Sequence, residues 1–196
     1  MAPAIKVGDA LPKGEFGYIP WTSELESHVN FVSDIFSFDA STESIHCPGV
    51  QVAYGVPSRL NTETERKGKK VVLFSVPGAF TPTCHTNHLP PFLEKYDEFK
   101  AKGVDVIAVI GANDTFVMSG WTRFEGCKDK ILGLSDVGAK WSAALNLSVD
   151  LTERGLGIRT GRYAMIIDDL VVKYIEVESD PRAVTVSGAD AILGKL

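Results

Sequence analysis

Apolar residues along the chain fall into two patterns: short unbroken runs, and longer stretches where they recur every three or four positions. "KKVVLFSVPG" holds an unbroken run and predicts a buried strand over Val71 to Val76, entered from the charged turn "ERKGKK". "VDVIAVIG" predicts a second strand over Val104 to Gly111. Between them, Leu89, Phe92, Leu93, Tyr96 and Phe99 keep helical spacing, so an amphipathic helix is expected from Thr83 to about Lys102, ended by Gly103. "NDTFVMSGWTRF" predicts a helix capped by Asn113 or Asp114, "KILGLSD" a short strand, and "GAKWSAALNL" a short helix. "RYAMIIDDLVVKYIEVE" reads as a hairpin turning at Asp168-Asp169, and "TVSGADAILGKL" as a closing helix capped by Ser187.

Strand, helix, strand, helix, then a hairpin and a final helix, with a cysteine after the first strand, is an α/β, thioredoxin-like organisation. Residues 1 to about 70 read as an N-terminal extension with short strand-like pieces such as "VQVAYGV" and a looser stretch from Trp21 to Ser44. No linker separates this extension from the core at 71–196, so one domain over residues 1–196 is expected.

Composition narrows the function classes. A chain of 196 residues with 44% hydrophobic and 23% charged content can build one well-cored domain. A net charge of -5 argues against nonspecific binding to nucleic acid or anionic membrane. No apolar run approaches the ~18 residues needed to span a bilayer. The opening "MAPAIKVGDALPKGEFGYIP" has neither an apolar signal core nor an Arg-rich presequence, so a cytoplasmic location is expected. Mitochondrial and peroxisomal locations are the alternatives; the terminal "GKL" is a poor match to a peroxisomal signal. The three cysteines, Cys47, Cys84 and Cys127, are too few for a disulfide scaffold.

The densest chemistry lies in "SVPGAFTPTCHTNHLPPF", where prolines frame Cys84 at the start of the expected helix. A free thiol is only about 3% ionised at pH 7, and a helix N-terminus favours the thiolate. Full ionisation would raise the reactive fraction only about 30-fold, so donors aimed at the reacting atoms must supply the rest. Thr81, three residues before the sulfur, is one candidate. Arg159 and Arg162 in "GIRTGRYAMII" are others, because a guanidinium stays charged and offers several donors in a fixed fork. In a thioredoxin-like sheet their strand lies beside the cysteine strand.

"PGAFTPTC" fits the pattern PxxxTxxC, with Pro77, Thr81 and Cys84 in place. Together with "NDTFVMSGW" and "GRYAMIIDD", it resembles the peroxiredoxin family, in particular the atypical peroxiredoxin-5 and type-II subgroup that includes fungal alkyl hydroperoxide reductases. The resemblance covers about Lys69 to Leu196 and implies an antioxidant thiol peroxidase that needs no cofactor. It assigns Cys84 as the peroxidatic thiol, Thr81 and Arg162 as peroxide-orienting groups, Pro77 as a water shield and His88 as a pocket residue. Arg159 does not match the motif and is expected to make a surface contact. The family's usual resolving positions correspond to Val186 and Val109, which cannot resolve. Cys47 resembles a resolving cysteine that acts across a dimer, and Cys127, in "FEGCKDK", reads as a bystander surface thiol at a polar helix end. Without a resolving cysteine, the resemblance implies a one-cysteine enzyme reduced directly by thioredoxin, glutathione or glutaredoxin. It further implies a homodimer with Phe80 and Trp121 near the shared face, a core position being equally open for Trp121.

The competing reading is zinc binding by Cys84, His85 and His88 with His46 and Cys47, whose spacing fits no closed zinc pattern. A redox-sensing or chaperone role could use the same thiol.

Overall fold

In the computed structural model, which describes residues 4–26 and 55–196, consecutive residues of the apolar strands face two separate cores. Val72 and Phe74 of β3 (Lys70–Ser75) face one core while Val71 and Leu73 face the other. In β4 (Val106–Gly111), Ile107 and Val109 take the first side, Ala108 and Ile110 the second. The unbroken apolar runs are therefore strands covered on both faces, where alternation of polarity has no use.

Among the described residues, seven strands form one sheet. Besides β3 and β4 these are β1 (Glu15–Tyr18), β2 (Ser58–Asn61), β5 (Ile131–Ser135), β8 (Tyr163–Asp168) and β9 (Val171–Val177), in the order β2-β1-β5-β4-β3-β8-β9. β3, β4 and β5 run parallel, and β8 pairs antiparallel with β3 in the register Ser75↔Tyr163. β6 (Ser148–Leu151) and β7 (Gly157–Thr160) form a separate antiparallel ribbon that the sequence pattern does not reveal. The expected hairpin is present as β8–β9, and Asp169 and Leu170 at its turn have φ of 45° and 65°, as a tight two-residue hairpin requires. The N-terminal extension contributes β1 and β2 to the sheet edge; residues 27–54, which include most of "VQVAYGV", lie outside the described residues. No described helix is long and apolar enough to cross a membrane.

The long helix expected from Thr83 to Lys102 is divided. α1 (Thr62–Glu65) precedes β3; after β3 come a single π-helical turn over Cys84–His88, then α2 (Leu89–Glu94) and α3 (Tyr96–Ala101). Pro90 and Pro91 have no N–H to give the carbonyls four residues earlier, and the Leu89 amide reaches back five residues to the Cys84 carbonyl instead. The bend at Lys95 leaves Leu89, Phe92 and Phe99 all fully buried. Phe92 stacks on Phe74 of β3 with ring centroids 4.0 Å apart, and this contact fastens the cysteine-bearing turn to the sheet.

α4 (Thr115–Phe124) is capped by Asp114, whose carboxylate accepts from the amides of Phe116 and Val117. α5 (Lys140–Ala144) is the short helix expected after β5. The last helix, α6 (Ala189–Leu193), begins after Gly188 and not at a Ser187 cap: the Ser187 side chain is buried and donates to Glu178.

Candidate active site

The end of β3 and the segment leading into β8 are tied together before either reaches the site. Ser75 Oγ donates to the Gly161 carbonyl at 2.8 Å, and Thr160 Oγ1 donates to the Val76 carbonyl at 2.7 Å. Gly161 lies against the Leu147 carbonyl, where a Cβ would meet the oxygen at 2.9 Å, so only glycine allows this approach. Arg162 follows directly and points to the cysteine turn.

The Arg162 guanidinium spends one donor on each of three partners. Nε donates to the Pro181 carbonyl at 2.8 Å, Nη1 to His88 Nδ1 at 2.9 Å, and Nη2 to Cys84 Sγ at 3.3 Å. All three side chains of this cluster are interior, with Arg162 3%, Cys84 1% and His88 0% exposed. Carbonyl, imidazole and sulfur are not carboxylates, so the guanidinium's contacts do not neutralise its charge, which faces the sulfur. His88 Nε2 lies 3.0 Å from the Ser187 carbonyl, which can only accept. Nε2 therefore carries the ring proton, and Nδ1 offers its lone pair to Arg162. Burial, opposed by the Ser187 carbonyl and reinforced by the Arg162 charge, pushes the His88 pKa down to about 4 and keeps the ring neutral.

The loop between β3 and the cysteine is held from below. Pro77 and Gly78 are buried, and Ala79 N–H donates to Asn113 Oδ1 at 3.0 Å. Arg159 Nη1 donates to the same oxygen at 3.1 Å while its Nε donates to the Leu156 carbonyl. Arg159 is thus half-buried and braces the loop through Asn113, where a surface contact was expected. Thr81 Oγ1 donates to the Gly78 carbonyl at 2.8 Å, so its proton is engaged and its lone pairs are what it offers to neighbours.

His85, one residue after the cysteine, turns the other way. Its Nδ1 contacts Glu125, and Trp121 Nε1 donates to Glu125 Oε1 at 3.1 Å. Trp121 is fully buried, which settles it as a core aromatic, whereas Phe80 is 50% and Phe124 66% exposed with ring centroids 5.9 Å apart. His85 and His88 direct their nitrogens to different partners, so the two imidazoles do not converge with Cys84 on one centre.

Cys127 is not a surface thiol. Gly126, with φ of 71°, turns the chain back after α4, Cys127 N–H donates to the Thr122 carbonyl, and the side chain enters the core that also holds Trp121 and Ile131. Burial, reinforced by the nearby Glu125 charge, pushes its pKa up to about 12. Cys47 and His46 lie outside the described residues. Sequence reasoning missed Asn113 as a brace and Glu178 altogether. Asn113 was visible only as one of two possible caps, and nothing local marks Glu178, whose partners lie in the following loop.

Residues 6–193 match the family model described as Redoxin. The chain is 37% identical over 195 residues to peroxiredoxin Pen c 3 of Penicillium citrinum, covering 98% of this chain and 99% of that one. It is also 37% identical over 196 residues to peroxiredoxin-2C of Oryza sativa subsp. japonica, covering 100% of both. Among solved structures it is similar to reduced Prx3 of Vibrio vulnificus in complex with hydrogen peroxide, with a TM-score of 0.74 and 36% identity over 97% of this chain and 98% of that one. Matched over nearly its whole length by such relatives, the chain belongs to the peroxiredoxins, thioredoxin-fold enzymes that reduce peroxides with electrons drawn from thiols.

Proposed function

We propose that Cys84 attacks hydrogen peroxide or an organic hydroperoxide, with Arg162, Thr81 and Pro77 acting on the reacting atoms and His88 building the pocket. The observation that carries this reading is the Arg162 Nη2 donor 3.3 Å from a Cys84 sulfur that is only 1% exposed. In this reading the thiolate pushes an electron pair onto one peroxide oxygen, an S–O bond forms, and the O–O bond breaks. The second oxygen departs with the bonding pair and takes up the proton released when the Cys84 thiol ionised, so that it leaves as water or alcohol and Cys84 remains as sulfenic acid. Negative charge grows on the oxygens as the bond opens, and the guanidinium is the fixed charge that meets it. Thr81, its own proton committed to Gly78, accepts from the peroxide O–H and orients it. Pro77, buried and without an N–H, helps keep water from the sulfur.

The sulfenic acid is returned to thiol by two reducing equivalents. Cys47 is the proposed resolving cysteine: acting across a homodimer, its thiol displaces water from the sulfenic acid and forms a disulfide, which thioredoxin or glutathione with glutaredoxin then reduces. Without Cys47, the same external thiols attack the sulfenic acid directly. Cys127 is unsuited to the step because its thiol is buried and held protonated. The exposed rings of Phe80 and Phe124, packed near His85 beside the site, favour a homodimer that covers them. The protein is proposed to work as one domain in the cytoplasm.

Intact mass under non-reducing, denaturing conditions after one equivalent of hydrogen peroxide tests this reading. A covalent dimer joining Cys84 to Cys47 supports the two-cysteine cycle, and a monomer with one added oxygen on Cys84 supports the one-cysteine cycle. An unchanged mass would refute the assignment of Cys84.

A further inference from the structure

Glu178 is the most heavily bonded carboxylate among the described residues and takes no part in the chemistry above. It sits one residue beyond β9, its N–H donating to the Arg162 carbonyl at 2.9 Å, so the two residues are cross-strand neighbours. The residue is 8% exposed, and no cation is among its hydrogen-bond partners. Oε1 instead accepts from the amides of Thr185, Val186 and Ser187 at 2.6, 2.8 and 2.9 Å and from Ser187 Oγ at 2.8 Å. Oε2 accepts from Thr185 Oγ1 at 2.7 Å. Burial raises its proton affinity, but these bonds from Thr185 and Ser187 outweigh burial and hold the carboxyl below its usual range.

The loop gathered by this carboxylate holds the catalytic pair from behind. Its first part presents the Pro181 carbonyl to Arg162 Nε, and its last part presents the Ser187 carbonyl to His88 Nε2. One carbonyl sets the plane of the guanidinium, and the other fixes which ring nitrogen of His88 is free to accept from it. We infer that Glu178 is a positioning residue for peroxide reduction, acting through the 180–187 loop to hold Arg162 and His88 in register with the Cys84 sulfur. This rests on the proposed role of Cys84. A reacting geometry depends steeply on such supports, because a displacement of about 1 Å can cost about a hundredfold in rate.

The test is the second-order rate of hydrogen peroxide consumption by the full chain, measured for wild type, Cys84→Ser, Glu178→Ala, Glu178→Gln, Arg162→Ala and the Glu178→Ala/Arg162→Ala double variant. Glu178→Ala is expected to slow the reaction about tenfold to a hundredfold. Glu178→Gln keeps Oε1 for its four donors and can donate to Thr185 Oγ1, so it is expected to restore most of the rate. In the Arg162→Ala background, Glu178→Ala is expected to add little, because the guanidinium that the Pro181 carbonyl and His88 both hold toward the sulfur is gone. A general loss of packing would instead give equal losses in both backgrounds and no rescue, and that result would overturn the inference. If Glu178→Ala fails to fold, Thr185→Val, which removes the donor to Oε2, carries the same comparison with a smaller loss. Wild-type rates in Cys84→Ser would overturn the Cys84 assignment and this inference with it. An inactive Cys84→Ser beside a fully active Glu178→Ala would overturn this inference alone.

Discussion

His88 and Ser187, 99 positions apart in the chain, meet at 3.0 Å through the ring Nε2 and the backbone carbonyl. The ring is fully buried, and its pKa falls from an ordinary 6.5 to about 4. As pH falls below about 6.5, the unfolded chain takes up this proton while the folded protein resists until about pH 4. The stabilisation is therefore complete above that window and lost across it, by up to about 3 kcal/mol. Urea unfolding of wild type and His88→Gln between about pH 4.5 and pH 7 checks this. The stability difference between the two proteins should shift toward the variant as pH falls; a constant difference would contradict the neutral, buried imidazole.

Arg162 reaches three acceptors with three different nitrogens, a geometry that a lysine cannot reproduce. Arg162→Lys keeps the charge but loses the fork, and the rate with peroxide is expected to fall by roughly 10²–10³-fold, the usual scale for removing a transition-state donor. Stopped-flow measurement with hydrogen peroxide decides it. A rate within a few-fold of wild type would mean that charge alone is enough.

Gly161 carries no chemistry, yet Gly161→Ala should impair the enzyme. The new methyl would stand 2.9 Å from the Leu147 carbonyl, a backbone atom that cannot step aside cheaply. Relief requires the segment before β8 to move, and Arg162 moves with it. A stability loss of about 1–3 kcal/mol is expected, the range for overpacked sites, together with slower peroxide turnover. Thermal unfolding and peroxide consumption measured on the same preparation would show both; an unaltered variant would show that the contact is easily relieved.

What could be read from the chain and what could not divides along the range of the interactions. β3, β4 and β8 were legible because burial on both faces writes an unbroken apolar run into each strand, while β9, an edge strand with exposed Lys173 and Glu176, was legible from its β-rich residues just past the turn. Setting β8 next to β3 brought both Arg159 and Arg162 toward Cys84, and the choice of Arg162 between them came from the family resemblance. The break in the helix after Cys84 was in principle legible from Pro90 and Pro91, but the apolar spacing from Leu89 to Phe99 continues through it and suggests one helix. Cys127 was misread because its neighbours in sequence are charged, while its exposure is set by the turn at Gly126 that folds it under α4. Glu178 left no local signal, since five neutral donors from a later loop, and no nearby charge, account for its burial.

The two remaining thiols can be separated by one oxidation experiment. Cys127 is buried in the core with its pKa pushed up to about 12, so at neutral pH it is protonated, enclosed and a poor nucleophile. Cys127→Ala should therefore leave any peroxide-induced covalent dimer intact, at a stability loss of about 1 kcal/mol for the missing sulfur. Cys47→Ser should abolish that dimer and let sulfenic acid accumulate on Cys84, where a dimedone adduct reports it. Both variants are read on the same non-reducing gel and by mass. Loss of the dimer in Cys127→Ala with its retention in Cys47→Ser would reverse the assignment, and would require the turn at Gly126 to open during the catalytic cycle.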